Sequence, residues 1–499
     1  MEPRSGAIVA EMVAGIVPMD CDAEFSGLAS DSREVAPGFL FAALPGTQGD
    51  GRAFIADAVR RGAVAVLAAP EARAEVEALG VRFIADPDPR HRLALIAATF
   101  YGPQPRCIAA VTGTNGKTSV TVFLRQIWEA LGYGAASVGT VGVTARSRTT
   151  PLTHTTPGPI ALHRLLASLK SEGVEHVAME ASSHGLDQRR LDGVRLAAAG
   201  FTNITRDHLD YHVDFRHYIA AKLRLFEDLL PDEAVAIVNA DAAEAGLFTA
   251  AAQARGARLV TVGVHGETLK LVDRQTTAHG QHLVIDHDGR RIAVELPLAG
   301  AFQASNALVA AGFAIGLGED PQRVVAALAQ LNGAPGRMEL VAFAASGAPV
   351  YVDYAHTPDA LETVLKALRP HVTGRLFTVF GCGGDRDAGK RPLMGGIAAR
   401  LADVAIVTDD NPRSEDPARI RREVLFGCPQ AREIGDRAVA IRTAIADLRD
   451  GDVLVIAGKG HESGQIVGSE IRPFLDADEA VKAARELGGA AASHAGAIA

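Results

Sequence analysis

The chain has 499 residues, 48% of them hydrophobic and 22% charged, which is the balance of an ordinary globular enzyme with roughly two to four domains. A formal net charge of −9 argues against a nucleic-acid binder with a basic surface, and four scattered cysteines favour a reducing, cytoplasmic compartment over a disulfide framework. The N-terminus is a poor signal peptide, and no apolar run is long enough to predict a membrane span.

Three blocks of predicted elements follow one another along the chain. The first, residues 1–103, has short apolar strands near 39–44 and 63–68 around a helical stretch at 52–61, and it ends in a linker rich in proline and glycine. The second, residues 104–334, opens with a strand at 107–111 and a helix that begins at Lys117 and ends near Gly132. Its later strands are predicted at 174–179, 197–203 and 234–238. The alternating segment 282–296, with Asp288-Gly289 at its centre, predicts a hairpin.

The third block, residues 335–499, follows a second linker candidate at 332–336. Apolar strands alternate here with helical segments, and we predict the strands at 350–354, 376–380, 404–408 and 453–457. This alternation is typical of a doubly wound, Rossmann-like domain. We therefore expect an α/β fold of three domains, with a mostly parallel central sheet of the P-loop type, and we expect the tail from Gly488 to fray.

A phosphate-binding loop stands at the start of the second block. Gly113-Thr-Asn-Gly-Lys-Thr118 lies between an apolar strand and a helix, where backbone N–H groups and the helix dipole attract phosphate. Lys117 supplies a positive charge and Thr118 offers a hydroxyl to Mg²⁺. The usual P-loop has a further glycine where this chain has Val111, so the motif is a shorter form. It predicts nucleotide binding, which by itself does not separate a ligase from a switch, a motor or a kinase.

Many further motifs occur in one order along the chain. They are Asp31-Ser-Arg33, Thr155-Thr-Pro157, Glu180-Ala-Ser-Ser-His184, Thr202-Asn, Arg206-Asp-His208, Pro335-Gly-Arg337, Asp353-Tyr-Ala-His356, Gly381-Cys-Gly-Gly-Asp-Arg386, Asp410-Asn-Pro-Arg413 and Gly458-Lys-Gly-His-Glu462. With the phosphate loop, this series resembles the Mur ligase family over nearly the whole chain. It is most similar to the type that adds a third amino acid to UDP-N-acetylmuramoyl-L-alanyl-D-glutamate.

The resemblance implies a magnesium and catalytic group made of Thr118, Glu180, His208 and Lys222, together with Lys117. Glu180 is predicted at the C-terminal end of a buried strand, where a carboxylate is costly to bury unless it meets a cation. His208 follows another apolar strand. Lys222 lies on a helical stretch, and a solvated lysine is the ordinary reading of such a residue. In Mur ligases the matching lysine is carbamylated, which turns a cation into an oxygen ligand suited to Mg²⁺.

The resemblance also implies three groups of binding residues. ATP would meet Gly113, Thr114, Asn115, Gly116, Lys117, Thr118, Ser119, Asn306, Arg337 and Asp353. The UDP-sugar peptide would meet Ser32, Thr155, Thr156, Ser182, Gln188 and Arg190. The third amino acid would meet Arg386, Asp410, Asn411, Pro412, Arg413, Gly458 and Glu462. His154 stands where several relatives carry an asparagine before the Thr-Thr pair, which puts one substrate contact in question.

The sequence at 410–413 resembles the form found in enzymes that add meso-2,6-diaminopimelate rather than lysine. Diaminopimelate has a second carboxylate that lysine lacks, and Arg413 offers two donors to it. A plain loop with an exposed arginine is the alternative interpretation of this turn. Glu462 is expected to face an ammonium group.

The activity implied is ATP-dependent amide ligation through an acyl phosphate in peptidoglycan synthesis, and thus in cell-wall biogenesis, cell shape and cell division. We expect a cytoplasmic monomer whose domains close over ATP, Mg²⁺ and substrates to exclude water. A folylpolyglutamate synthetase shares the phosphate loop, but the first block with Asp31-Ser-Arg33 is typical of a UDP-binding domain. A nucleotide-dependent switch without ligase chemistry is the alternative from another class.

Overall fold

The computed structural model describes residues 25–46, 49–146, 148–205 and 211–492. These form two compact units. The first takes in the described residues up to Lys117, together with Gly132–Val238 and Ala242–Leu259. The second takes in Thr118–Leu131, Asn239–Asp241 and the described residues from Val260 onward. Among the helices of these ranges, none is both long enough and apolar enough to cross a membrane.

The chain begins with a small parallel sheet. Its elements are β1 (Gly27–Ala29), β2 (Phe39–Ala42), α1 (Ile55–Arg60), β3 (Ala65–Ala68), α2 (Arg73–Ala78), β4 (Arg82–Ala85) and α3 (Pro89–Tyr101). The strands pair in the order β1-β2-β3-β4, all parallel. Apolar side chains pack on both faces of the sheet, so the strands are buried on both sides, as parallel strands require.

A larger sheet follows the small one along the chain. Its elements are β5 (Cys107–Thr112), α4 (Lys117–Ala130), β6 (Ala135–Gly139), β7 (Gly142–Ala145), β8 (Arg148–Thr150), α5 (Pro159–Ser171), β9 (His176–Glu180), α6 (Ser183–Asp187), β10 (Ala198–Phe201), α7 (Phe215–Arg224), β11 (Val235–Asn239) and α8 (Ala245–Ala254). The strand order is β11-β10-β5-β9-β6-β7-β8, and the five strands from β11 to β6 are parallel. The carboxyl ends of β5, β9 and β10 therefore meet at one edge.

The chain continues with β12 (Arg258–Gly263), β13 (Leu269–Thr276), β14 (Gln281–His287), β15 (Arg290–Leu296), α9 (Ala301–Gly316) and α10 (Pro321–Ala327). The predicted hairpin is confirmed, because β14 and β15 pair antiparallel around a turn in which Asp288 and Gly289 both have positive φ. The sequence reading missed β12 and β13.

The last elements form the doubly wound sheet that the alternation predicts. They are β16 (Glu339–Phe343), β17 (Pro349–Asp353), α11 (Pro358–Leu368), β18 (Leu376–Phe380), α12 (Lys390–Leu401), β19 (Val404–Val407), α13 (Pro417–Leu425), β20 (Arg432–Glu433), α14 (Arg437–Ala446), β21 (Val453–Ala457), β22 (Gly464–Val467), β23 (Glu470–Pro473), α15 (Asp476–Glu486) and β24 (Ala490–Ala491). The strand order of the sheet is β20-β19-β18-β21-β17-β16-β24, with apolar cores on both faces. Strands β22 and β23 pair antiparallel as a separate two-stranded sheet.

The expected fraying of the tail is wrong for its first residues. Ala490 and Ala491 pair antiparallel with Phe343 and Ala342 as an edge strand. The Ala492 N–H, just after this strand, also donates to the Val341 carbonyl at 2.9 Å. Residues 493–499 lie outside the described part of the chain.

Candidate active site

The phosphate loop crosses from β5 to α4 with a backbone that only glycine accommodates at its first position. Gly113 has φ +149°, and a Cβ there would collide with the Thr202 hydroxyl. Lys117 begins α4, and Thr118 and Ser119 follow in its first turn with 5% and 4% of their surface exposed. Gly116 also has positive φ. The predicted strand–loop–helix arrangement is therefore present, and the N-terminus of α4 directly follows the loop.

Residues after β10 hold this loop in shape. The Thr114 N–H donates to the Asn203 carbonyl at 2.8 Å, and the Asn115 N–H donates to the Asn203 side-chain oxygen at 3.1 Å. The Thr202 hydroxyl donates to the Asn115 carbonyl at 2.6 Å. These contacts give the Thr202-Asn motif a supporting role that the sequence reading left unassigned. Its only signal was the polar pair directly after an apolar strand.

Two lysines converge on one carbonyl oxygen of the loop. Lys117 Nζ donates to the Gly113 carbonyl at 2.8 Å and to the Thr114 carbonyl at 2.9 Å. Lys222 Nζ, on α7, donates to the same Gly113 oxygen at 2.7 Å and lies 4.6 Å from the centre of the Tyr218 ring. Only 1% of the Lys222 surface is exposed, so the ordinary reading of a solvated lysine is wrong.

Glu180 ends β9 beside the phosphate-loop strand and is 1% exposed. Its register partner on β5 is Val111. The carboxylate accepts the Thr140 N–H at 2.7 Å and the Thr140 hydroxyl at 3.2 Å. A Cβ on Gly139 would collide with Glu180 Oε1, so glycine at the end of β6 makes room for the acid. Thr140 was missed because nothing local marks it as a partner of Glu180.

Three of the four residues expected to bind Mg²⁺, which are Thr118, Glu180 and Lys222, lie in the described part of the chain. His208 lies outside the described residues. Within the described ranges, no cluster of three or more His, Cys, Asp and Glu side chains is present. Glu180 supplies carboxylate oxygens and Thr118 a hydroxyl, which are the hard donors that Mg²⁺ takes. An unmodified Lys222 does not fit a cation site, whereas its carbamate does.

Five of the six residues expected to meet the UDP-sugar peptide lie together beside Glu180. The Thr156 hydroxyl donates to the Glu180 carbonyl at 2.8 Å and accepts the Ser182 N–H at 3.1 Å. The Arg190 guanidinium donates to the Thr156 carbonyl at 2.7 Å and to the Gln188 side-chain oxygen at 2.7 Å. The Thr155 hydroxyl lies 3.1 Å from that of Thr140. Burial lowers the pKa of Arg190 from its ordinary value, although an arginine stays charged at any physiological pH.

The sixth of these residues, Ser32, lies in the small N-terminal sheet domain. It is 6% exposed and lies in a 3₁₀ turn between β1 and β2. No hydrogen bond within the described residues joins it to the Thr156 group. His154 is exposed in the loop that leads to Thr155.

The remaining residues expected at the nucleotide belong to the second unit. Asn306 lies on α9 and is 5% exposed, and its amide donates to the Gln303 side-chain oxygen at 3.3 Å. Gln303 in turn donates to the Arg337 carbonyl at 3.0 Å. The Arg337 guanidinium stacks 4.6 Å from the centre of the Tyr354 ring, and its buried Nε has no hydrogen-bond partner among the described residues. A donor left unpaired at this position is suited to a phosphate or another anion.

Asp353 ends β17 with both carboxylate oxygens engaged by backbone amides. It accepts the Met338 N–H at 2.7 Å and the Ala355 N–H at 2.8 Å. Burial raises the pKa of this carboxyl to about 6, against the opposing attraction of Arg337. The acid therefore ties the segment after Arg337 to the end of the strand, a role that the ribose assignment did not foresee.

The residues expected at the third amino acid gather at the carboxyl ends of β19 and β21. Asp410 Oδ1 accepts the Asn411 N–H at 2.7 Å, and the Asn411 amide donates to Glu462 Oε2 at 2.8 Å. Gly458 has φ +118°, and a Cβ there would lie 2.7 Å from Asp410 Oδ2. Pro412 is buried between Asn411 and Arg413.

Arg413 has φ +52° and donates to the Gly384 carbonyl at 2.8 Å. A Cβ on Gly383 would lie 2.7 Å from the Arg413 guanidinium and 3.9 Å from the Arg386 side chain, so the two arginines flank this glycine. Arg386 is exposed, and Arg413 is half-buried. The structure thus brings the cations Arg386 and Arg413 to the sheet edge that also carries the carboxylates of Asp410 and Glu462.

A fully buried ion pair lies behind this group. Arg437 and Asp476 are both 0% exposed and meet through two hydrogen bonds of 2.6 and 2.7 Å. Arg437 also donates to the Ala457 carbonyl at 3.0 Å, immediately before Gly458. The sequence reading missed this pair, since neither residue lies in a motif or near its partner in the chain.

Family models match the chain in three successive segments. They are described as the Mur ligase family catalytic domain at residues 24–101, the Mur ligase middle domain at 111–314, and the Mur ligase glutamate ligase domain at 336–460. Their order agrees with the three-domain α/β architecture expected from the sequence.

Curated relatives match almost end to end. A UDP-N-acetylmuramoyl-L-alanyl-D-glutamate–2,6-diaminopimelate ligase of Mesorhizobium japonicum is 55% identical, covering 95% of this chain and 98% of its own. One of Caulobacter vibrioides is 54% identical, covering 93% and 96%. Both are similar to this chain along all three of the matched segments.

Solved structures agree with these relatives. A ligase of the same description has a TM-score of 0.72 at 35% identity, covering 97% of this chain and 99% of its own. MurF of Thermotoga maritima in complex with ADP has a TM-score of 0.60 at 18% identity, covering 92% and 97%, which shows the fold alone. Several relatives are 53–55% identical over nearly the full length, and three family models match in chain order. This chain therefore belongs to the Mur ligase family.

Proposed function

We propose that the chain is an ATP-dependent ligase of the MurE type, which adds meso-2,6-diaminopimelate to UDP-N-acetylmuramoyl-L-alanyl-D-glutamate in peptidoglycan synthesis. The observation that carries this proposal is the 53–55% identity to several curated ligases of that activity, each matched over more than nine-tenths of this chain. The phosphate loop and the grouping of opposite charges around Arg413 and Glu462 support it.

The chemistry proceeds in two steps. An oxygen of the D-glutamyl γ-carboxylate attacks the γ-phosphorus of ATP, which gives an acyl phosphate and ADP. The neutral amine of diaminopimelate then attacks the acyl carbon, loses a proton, and expels inorganic phosphate to leave the amide. Lys117, which lies on the loop carbonyls of Gly113 and Thr114, would turn to the phosphates and offset their charge. ATP is consumed as a substrate and Mg²⁺ is the cofactor of the family.

For Mg²⁺ we propose Thr118, Glu180, His208 and a carbamate on Lys222 as ligands. The bound cation neutralises negative charge where carboxylate and phosphate oxygens approach each other. The convergence of two ammonium groups on the Gly113 oxygen supports the carbamate, because two like charges on one acceptor repel. A carbamate removes one of these charges and keeps an N–H that can donate to the same carbonyl.

For the nucleotide we propose the residues from Gly113 to Ser119, Asn306 and Arg337 as the ATP-binding set. The unpaired Arg337 Nε and its link to Asn306 through Gln303 support this assignment. Asp353 would act near the ribose mainly by holding Met338 and Ala355 in place.

For the substrates we propose that Thr155, Thr156, Ser182, Gln188 and Arg190 meet the UDP-sugar peptide, with Ser32 on the uridine side. Arg190 can pair with a carboxylate or phosphate because its fork is planar and always charged. We assign Arg386, Asp410, Asn411, Pro412, Arg413, Gly458 and Glu462 to diaminopimelate. Domain boundaries near 103 and 334, a cytoplasmic location and a monomeric state remain part of this proposal.

An ADP-release assay over a panel of amino acids tests the function. We expect turnover only when ATP, Mg²⁺, UDP-N-acetylmuramoyl-L-alanyl-D-glutamate and meso-diaminopimelate are all present, with lysine a poor substitute. Turnover with a folate substrate and glutamate would instead favour a folylpolyglutamate synthetase. ATP hydrolysis that is indifferent to both substrates would favour a nucleotide-dependent switch.

A further inference from the structure

Lys459 is a buried cation within the amino-acid group to which no role has yet been assigned. It follows β21 between Gly458 and Gly460, both with positive φ, and its side chain is 0% exposed. Its Nζ donates to the Gly464 carbonyl at 2.7 Å, to Asn411 Oδ1 at 3.2 Å and to Glu462 Oε2 at 3.3 Å. All three hydrogen bonds of the ammonium are thus made to protein oxygens. The Lys459 side chain is therefore not a solvated surface lysine.

These contacts decide which way the Asn411 amide points. Its Oδ1 accepts both the Lys459 ammonium and the Ile466 N–H, the latter at 2.9 Å. The Nδ2 must therefore be the end that faces Glu462, to which it donates at 2.8 Å. Without Lys459, the Asn411 Oδ1 would lose its charged hydrogen-bond partner. The contacts of Oδ1 would then favour one orientation of the amide less strongly.

The same contacts fix the Glu462 carboxylate. Lys459 and Asn411 both donate to Oε2, while the side chain as a whole keeps 34% of its surface exposed. One oxygen is thereby occupied by the protein, and the carboxylate retains an accessible part that can accept from a ligand. Negative charge on Glu462 together with burial raises the pKa of the neighbouring Tyr354 hydroxyl, with burial the larger cause.

No other described cation makes a hydrogen bond to Glu462. Arg413 donates to the Gly384 carbonyl, and Arg437 is paired with Asp476. When Glu462 is not engaged by a ligand, Lys459 is therefore the cation that offsets its charge. The lysine thus holds the Glu462 carboxylate in one orientation before any ligand arrives.

We propose that Lys459 is a positioning residue of the amino-acid site. It holds Asn411 and Glu462 so that the Glu462 carboxylate receives the non-reacting ammonium of diaminopimelate while Arg413 takes the adjacent carboxylate. This inference rests on the proposed function, since it assumes an amino acid with an ammonium at that end. Lys459 does not touch the substrate, and it acts through Glu462 and Asn411.

A double-mutant cycle between Lys459→Met and Glu462→Gln tests the inference. The measurements are kcat and KM for meso-diaminopimelate, KM for ATP and for the UDP-dipeptide, and the melting temperature. Lys459→Met should raise the KM for diaminopimelate roughly 10- to 100-fold, as expected for a hydrogen bond to a charged group, with the other two KM values changed less than about 2-fold. In the Glu462→Gln background, the same lysine substitution should add less than about 3-fold.

Lys482→Met is the matched control, because Lys482 is an exposed lysine on α15 of the same domain, and it should leave all four kinetic constants unchanged. A full additive effect of Lys459→Met in the Glu462→Gln background, or an unchanged KM for diaminopimelate in the single variant, would overturn the inference. So would equal losses for all three substrates. If Lys459→Met alone fails to fold but the double variant folds, the coupling to Glu462 is demonstrated by stability. If both fail to fold, the lysine is purely structural and the inference is wrong.

The cycle also separates this inference from the proposed function. If wild type accepts another amino acid in place of diaminopimelate, the substrate proposal fails, and the cycle is measured on the amino acid that is accepted. Coupling there would still support Lys459 as the positioning residue of Glu462. An active, diaminopimelate-specific wild type without coupling would refute the lysine inference alone.

Discussion

Lys222 is a buried cation close to the phosphate loop. Its ammonium is 1% exposed and shares the Gly113 carbonyl with Lys117, although burying one cation is already costly. The Tyr218 ring and the carbonyl offset part of that cost. A carbamate at this position would exchange the cation for an anion, which suits a metal ion.

We therefore expect Lys222→Ala to lower kcat by several orders of magnitude while the protein remains folded. Short carboxylates such as formate or acetate should restore a small part of the activity by supplying the missing oxygen ligand. The measurement is kcat in rising formate, with far-UV circular dichroism as the folding check. Lys270→Ala, at an exposed strand position, is the control. Electron density of the active enzyme that shows an unmodified Lys222 side chain would refute the carbamate.

Arg413 is held in a left-handed backbone conformation that is rare for residues other than glycine. We expect Arg413→Ala to reduce kcat/KM for meso-diaminopimelate by about 30-fold to a few thousand-fold, because a charge-assisted pair loses one partner. Lysine should not become a good substrate, since no new partner for its ammonium is created. Arg422→Ala, an exposed arginine on α13, should have no effect. Unchanged use of diaminopimelate would show that Arg413 does not face its second carboxylate.

At the scale of elements, the ends of β6 and β9 determine the position of the Glu180 carboxylate. Gly139 ends β6, and Thr140 follows it with two hydrogen bonds to the carboxylate. The acid is therefore clamped by the neighbouring strand end rather than by its own strand. A side chain at position 139 would push Glu180 Oε1 away from this clamp.

Gly139→Ala should consequently lower kcat at least about 10-fold and raise the Mg²⁺ concentration needed for half-maximal activity, since a displaced carboxylate is a poorer ligand. Gly246→Ala, on α8 with no atom within 4 Å of the added Cβ, is the matched control and should be neutral or slightly stabilising. Titration of activity with Mg²⁺ in both variants gives the comparison. An unchanged Mg²⁺ requirement in Gly139→Ala would argue against Glu180 as a ligand.

For the whole molecule, Asp353 makes stability depend on pH. Burial raises the pKa of its carboxyl to about 6, above the value near 3.9 of an unfolded aspartate. A raised folded pKa contributes stability that is fully present below the unfolded pKa and is lost as pH rises through the folded one. The loss amounts to about 3 kcal/mol between pH 3.5 and 7, since each pKa unit is about 1.4 kcal/mol.

Asp353→Asn lacks this titration, although it also loses an acceptor for one backbone amide at every pH. We expect the free energy of unfolding of the wild type, relative to the variant, to fall by up to about 3 kcal/mol as pH rises from 3.5 to 7. Urea unfolding of both proteins at several pH values measures the difference. A constant difference across that range would mean that the carboxyl does not titrate with a raised pKa.

The sequence by itself determined the features that depend on neighbours in the chain. The loop from Gly113 to Lys117 required only a strand, glycines and a helix start in succession, and the hairpin at Asp288-Gly289 required two residues tolerant of positive φ between alternating strands. The alternation of apolar strands with helices likewise predicted the doubly wound sheet. The ordered motifs predicted the family, because each occupies a fixed place relative to these elements.

Only the tertiary structure decided which of the polar residues are buried and what they touch. Lys222 meets the Gly113 carbonyl across 109 residues of chain, and Lys459 meets Asn411 across 48. The sequence around either lysine is also compatible with a solvated side chain. Thr140 reaches Glu180, and Arg437 reaches Asp476, across about 40 residues each. Such contacts join strand ends, loops and helix ends that lie far apart in the sequence. The tertiary arrangement of the elements therefore sets them, and local propensity does not.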